Sequence, residues 1–375
     1  MGPRPGSIRQ VVLEGGRVSQ VATEPIDDSG LGPGPGGGPA QQIVGRSPWE
    51  LFWRRFRQDR LATAGLIIIA IITALALAAP LFSSIVGHGP NQTFAREYPA
   101  GALDDFGLPI GPNKDFWFGA DTAGRDLFVR VLYGAQTSLS VALLATLISL
   151  IIGVTGGLLA GYYRGKVDTV VSRLIDIVLA MPVLLLALGL VSACGTAEGC
   201  MGGFFGFLKP GWKLVALIIG LFSWPYIARI VRGQVLSLRE KEFVEAARAM
   251  GSNDRRIIFR EVLPNVVAPI IVYTTLIIPN NILFEAALSF LGVGVPPTTP
   301  SWGRMLAEGG ANFTFAWWMM LFPGMFLFLT TLAFNLVGDG LRDSLDPRMS
   351  SLRRKTRKRE IAAQTAAEAE SPVAG

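Results

Sequence analysis

The chain has 375 residues, of which half are hydrophobic and only 17% charged, with a positive mean hydropathy of +0.43. A soluble chain would carry about 25% charged residues, and its apolar residues would form amphipathic stripes rather than long blocks. One histidine (His88) and two cysteines exclude a multi-histidine metal centre, a disulfide-rich scaffold and an iron–sulfur protein; the net charge of +6 makes the placement of the positive residues decisive.

Nine of the ten residues 30–39 are Gly or Pro. Such a composition cannot bury a core, so 1–47 is expected to be a disordered cytoplasmic tail. No signal peptide is expected, because the first apolar run begins some sixty residues in and is too long for a leader. Ser47-Pro48-Trp49-Glu50 then reads as a helix start: a Ser cap, Pro at the first helical position and Glu three after the cap. Trp49, Phe52, Trp53 and Phe56 recur at helical spacing among Arg54, Arg55, Arg57 and Arg60. This predicts an amphipathic helix over 48–60 lying in the membrane interface; a plain extension of the first span fits the same pattern.

A helix needs roughly 20 apolar residues to cross the ~30 Å hydrocarbon core. Six stretches qualify: 61–86, 138–162, 174–193, 214–230, 266–295 and 317–337. The fourth is the shortest and the fifth is punctuated by Pro279, Asn280, Asn281 and Glu285, so the count is six with five or seven as alternatives. Cytoplasmic segments carry the excess of Lys and Arg. With both termini inside, 27 of the 34 lie in the cytoplasmic segments and seven in the outer ones. The positive charge is therefore a topology signal that also favours an anionic bilayer surface, and nucleic acid is not expected as a partner.

The outer segment 87–137 is long enough for a small cap, in which Asp121, Arg125 and Asp126 pair with one another or with a partner outside. Cys194 and Cys200 flank a short outer loop after the third span, where the oxidising exterior permits a disulfide; two free thiols are the alternative. Arg173 and Asp176, with Asp168 and Lys166 nearby, are expected to form a structural ion-pair cluster. Glu285 lies some 19 residues into the fifth span. An ionisable residue there is by default a functional candidate, facing either a pathway or a neighbouring subunit. Asn280 and Asn281 either break the helix beside a cavity or sit at a locally satisfied kink.

Several chemistries are missing. There is no G-x-x-x-x-G-K-[ST] phosphate loop, since the sole Gly165-Lys166 pair is followed by Val167. One histidine cannot make H-E-x-x-H. Gly338-Asp339-Gly340 lacks the second intramembrane aspartate that a protease dyad needs. No catalytic residue, resident cofactor or metal ligand is assigned.

The loop 233–265 is the most informative. It predicts a short helix over 241–250, a stop at Gly251, a new cap at Ser252 or Asn253, and a second helix ending near Pro264. Phe243, Ala246, Ala247 and Met250 share one face at helical spacing, which suits a knob for a partner's groove or packing on the chain's own spans.

Glu245-Ala246-Ala247 with Gly251, then Leu263-Pro264, resembles the E-A-A motif of ABC importer permeases, with Glu261 where isoleucine is usual. Three further blocks resemble the "C" subunit of the oligopeptide/dipeptide/nickel branch: 118–126, with Ala120 in place of Thr; 287–303, from Ala287-Leu288-Ser289-Phe290 to Ser301-Trp302-Gly303; and 338–347, ending Leu345-Asp346-Pro347. The resemblance covers about 53–353. It implies an all-α polytopic membrane protein with six spans, a type I importer permease core over 138–341, and an extra N-terminal helix within 61–137. The tail 342–375 is basic. It further implies a homologous permease partner, two ATPase subunits that bind ATP and Mg, and an extracytoplasmic binding protein above. Phe243, Glu245, Ala246, Ala247, Met250 and Gly251 would then form the coupling helix, Asp121, Arg125 and Asp126 the binding-protein side. The substrate class implied is di- and oligopeptides. A self-sufficient carrier or channel is the competing reading; such carriers tend to show sequence repeats and mid-membrane carboxylates, and only Glu285 comes close.

Overall fold

The computed structural model describes residues 13–14, 17–18, 48–94, 101–194 and 211–345. The first unit, Met1–Ser47, contributes a two-residue antiparallel ladder, Leu13–Glu14 with Arg17–Val18; the rest of the expected tail, Cys200 and 346–375 lie outside the described residues. Among the other described residues the regular elements are helices, joined by turns and by isolated bridges such as Thr93 with Arg125. The helices are α1 (Pro48–Gln58), α2 (Arg60–Leu77), α3 (Ala79–Val86), α4 (Leu127–Tyr163), α5 (Gly165–Ala180), α6 (Val183–Cys194), α7 (Trp212–Leu238), α8 (Glu242–Ala249), α9 (Asp254–Arg256), α10 (Leu263–Phe290), α11 (Trp302–Ala311) and α12 (Trp318–Leu345), with a π-helical segment, Ile257–Val262, joining α9 to α10.

Among the described residues, five helices are long and apolar enough to cross a membrane, or six when α5 and α6 count as one broken span. The expected spans are thus present, but several bounds move. The first divides at Ala78, because Pro80 lacks the N–H and the room that a continuing helix requires. The second begins eleven residues earlier, at Leu127, behind the cap Asp126, whose Oδ1 accepts from Phe128 N at 2.8 Å and Val129 N at 3.3 Å. The third bends by 86° where Met181 and Pro182 interrupt it. The sixth runs on to Leu345, so 342–345 are helix rather than the start of a tail. The helix expected to end near Pro264 instead continues from Asp254 through the π segment into α10, with Pro264 tolerated in the first turn of α10.

The frame is the pair α4 and α7. Gly153, Gly157 and Gly161, spaced by four, place one face of α4 directly against α7. A Cβ on Gly157 would stand 2.7 Å from the Ala228 carbonyl oxygen, and one on Gly161 2.7 Å from Val235 Cβ. Apolar side chains gain little by leaving lipid for each other, so close backbone approach and dense van der Waals contact hold such helices together. α10 packs on both, α12 on α2 and α10, and α1 turns back onto α12 and α2 through buried Phe56. α4 ends in two consecutive positive-φ residues, Arg164 (55°) and Gly165 (57°), which reverse the chain sharply into α5.

Candidate functional site

The E-A-A segment forms α8, and its faces are not those expected. Val244 and Ala247 are buried, among Leu158, Tyr162, Val235, Ile257 and Val262 of this chain's own core. Phe243, Glu245, Ala246 and Met250 are exposed, Met250 at 79%. Ala247 is therefore corrected from a docking residue to a packing residue, because the helix rests on its Val244–Ala247 side. Gly251 (φ 77°) makes the exit, a left-handed conformation that a side chain would strain, and Asn253 Oδ1 caps the next helix by accepting from Arg256 N at 2.9 Å.

Both flanks of α8 are tied to α4. Arg239, just before α8, donates to the Tyr162 carbonyl oxygen, which at the end of α4 lacks an intrahelical partner. The Tyr162 hydroxyl donates to Asp254 Oδ1, just after α8, at 2.8 Å. Arg164 and Glu240 form a neighbouring ion pair.

Further along the spans, a cavity of about 680 Å³ opens between α6, α7 and α10. Its walls are Val183 and Leu184 of α6, Phe222, Ser223 and Tyr226 of α7, and Tyr273, Asn280 and Asn281 of α10, among others, and none carries a formal charge. Asn280 is exposed there and donates to the Leu276 carbonyl at 2.9 Å. Asn281 is buried: its Oδ1 accepts from Ser223 Oγ and its Nδ2 donates to Thr146 Oγ1, each at 2.9 Å, which ties α10 to α7 and α4. Both asparagines therefore lie at the cavity wall on an unbroken α10, Asn280 on its exposed side and Asn281 satisfied within the packing.

Glu285 is fully buried and faces neither pathway nor surface. Its carboxylate accepts from Ser138 Oγ of α4 at 2.9 Å and from Ser289 Oγ at 2.7 Å. Trp302 N of α11 donates to the same Ser138 Oγ at 3.3 Å. The expectation that Glu285 meets substrate or a second subunit is corrected: within this chain it joins α4, α10 and the start of α11.

At the far end of α4 the charged residues converge inward. Asp121 Oδ1 accepts from Ala123 N and Arg125 N at 2.9 Å and Oδ2 accepts from Arg125 Nε at 2.7 Å, while Arg130 Nε stands 3.2 Å from Oδ2 as an ion pair without hydrogen-bond geometry. Arg125 reaches Glu308 of α11 at 3.3 Å, and Arg304 reaches the same carboxylate at 3.2 Å. His88 Nδ1 lies 2.6 Å from Asp126 Oδ2, with the His88 ring stacked on Phe116. Burial is the largest influence on Asp126 and pushes its carboxyl above the usual range, against the His88 hydrogen bond. Asp121, Asp126 and Arg130 are all buried, so of the three expected outward residues only Arg125 reaches the surface in part, at 15%.

The ion-pair cluster near the third span is also rearranged. Asp168 and Asp176 pair with Arg232 and Arg229 of α7 rather than with Lys166 and Arg173.

The profile of the family described as binding-protein-dependent transport system inner membrane component matches residues 153–351. The chain belongs to that family. Residues 47–99 of this permease also match the N-terminal TM domain of oligopeptide transport permease C. It is 41% identical over 313 residues to the dipeptide transport system permease protein DppC of Alkalihalophilus pseudofirmus, covering 84% of this chain and 94% of that one. Against the glutathione transport system permease protein GsiD of Escherichia coli it is 40% identical over 305 residues, covering 81% and 92%. A likeness to the inward-facing MetNI methionine ABC transporter has a TM-score of 0.48 and 19% identity, covering 58% of this chain and 97% of that one. The protein is accordingly an all-α permease subunit of an ATP-driven importer, and a permease of this family works beside ATPase subunits and a binding protein.

Sequence reasoning passed over Tyr162, Asp254 and Arg239, and the Thr146 and Ser138 partners of α10. These residues lie far apart along the chain and no motif marks their pairing.

Proposed function

We propose that the permease forms one half of a heterodimeric pathway for di- or oligopeptides, with a homologous membrane subunit beside it and two ATPase subunits below. The N- and C-termini lie in the cytoplasm, where the positive-inside excess puts them. Residues 87–94 and 101–126 belong to a cap that faces the binding protein, and Cys194 pairs with Cys200 to close the adjoining outer loop. The similarity to dipeptide and glutathione permeases supports the substrate class. An uncharged, partly aromatic cavity wall suits solutes whose charges vary from one to the next. The chain carries no phosphate-binding loop and draws its energy from ATP bound by its partners.

The observation that carries the coupling assignment is the division of α8 into two faces. Val244 and Ala247 seat it on the spans, which leaves Phe243, Glu245, Ala246 and Met250 for an ATPase cleft. Closure of the ATPases around ATP then favours one arrangement of the spans over the other through differential binding. Ala246→Arg and Met250→Glu, both on the exposed face, are expected to keep the permease in the membrane while the ATPase no longer copurifies and uptake stops. Copurification and uptake at the unaltered level in both variants would refute the docking role.

A further inference from the structure

We infer that Tyr162 is the positioning residue that makes a movement of α8 a movement of α4. The inference rests on the ATP-driven importer reading and deepens it. α8 by itself is weakly constrained: eight residues long, it buries only Val244 and Ala247, and it leaves through a glycine joint at Gly251. A force on its exposed face would tilt it about that joint unless both of its flanks were held. They are held, and Tyr162 is the residue that reaches both; the exposed Arg164–Glu240 pair adds a second tie on the entering side. Arg239 on the entering side bonds the Tyr162 carbonyl, and Asp254 on the leaving side accepts from the Tyr162 hydroxyl at 2.8 Å. Arg248 of α8 lies beside the same hydroxyl. Tyr162 is only 4% exposed and sits in one cluster with Leu158 of α4, Val231 and Val235 of α7 and Val266 of α10, so its position is set by that core rather than by solvent.

The consequence follows from what α4 carries. Close glycine packing makes α4 and α7 a single body, and Thr146 of α4 holds Asn281 at the cavity wall. Displacing Tyr162 therefore displaces the cavity lining. Releasing the tie leaves α8 free to follow the ATPase while the spans stay still.

The test uses the whole transporter, with its ATPase subunits and binding protein, in proteoliposomes, and reads ATP hydrolysed per solute imported. Tyr162→Phe keeps the ring and removes only the hydroxyl. Asp254 is exposed, so Asp254→Ala removes the acceptor without disturbing the core, and Asp254→Asn keeps an acceptor oxygen. A lost hydrogen bond of ordinary strength predicts a ratio raised about three- to tenfold in Tyr162→Phe and Asp254→Ala, no further rise in the double variant, and a ratio close to the unaltered one in Asp254→Asn. A residue that served stability alone would lower the melting temperature and leave the ratio alone. Unchanged ratios in Tyr162→Phe and Asp254→Ala, or equal uncoupling by Asp254→Asn and Asp254→Ala, would overturn the inference. An unaltered transporter that imports nothing in response to ATP would instead sink the importer reading beneath it.

Discussion

The two ends of α4 use charge in opposite ways. At its start, Asp121, Asp126 and Arg130 are buried; Asp126 pairs with His88, and Arg125, paired with Asp121, reaches Glu308 of α11. At its finish, the charges around α8 stand in solvent, and few bonds hold that helix. A buried, cross-linked network resists rearrangement because each member left alone is a desolvated charge; a helix with one exposed face and a few ties at its flanks can be grasped and moved. Rigidity at one end and purchase at the other fit a body pushed from one side.

The contrast can be broken by substitutions whose effects should differ in size. The largest is expected for Asp121→Ala, which strands fully buried Arg130 and should cost about 3–5 kcal/mol. Thermal unfolding of the purified permease should show it, and a loss no greater than that of Asp254→Ala would erase the distinction between the ends. Next comes Glu285→Ala, which leaves the Ser138 and Ser289 hydroxyls without their acceptor, at about 1–3 kcal/mol. Glu285→Gln, which keeps an acceptor oxygen, should cost visibly less in the same melt. Smallest is Asp176→Asn, an ion pair in which both side chains are more than half exposed; a change above about 1 kcal/mol there would contradict its surface character. Ala247→Arg against Ala246→Arg sharpens the moving end itself. The first puts a charge into the core and should abolish membrane accumulation on an immunoblot, whereas the second should leave accumulation intact.

Hydropathy made the spans legible because a bilayer demands long apolar runs, and the E-A-A block marked α8 because its spacing is unusual. The faces of α8 were not legible: Ala246 and Ala247 are alike as residues, and only the three-dimensional position of Tyr162 and Val235 decides which of them is covered. Glu285 was singled out correctly as exceptional, yet its partners lie 147 residues away and one turn ahead on the same helix. The glycine row at 153, 157 and 161 carried a readable signal, since a four-residue spacing of small residues in an apolar run marks close helix approach. The π segment, by contrast, interrupts a helical pattern whose apolar residues give no sign of the extra residue per turn.

At 37 residues without a break, α4 extends about 55 Å, whereas the hydrocarbon layer it crosses is only about 30 Å thick. Like an axle longer than its bearing, it projects beyond the apolar layer, and its first turns are covered by this chain's own outer segment. The buried charges packed at one end and the ties to α8 at the other therefore sit on the same stiff rod, and a displacement of either end is carried across the bilayer with no flexible joint along the way.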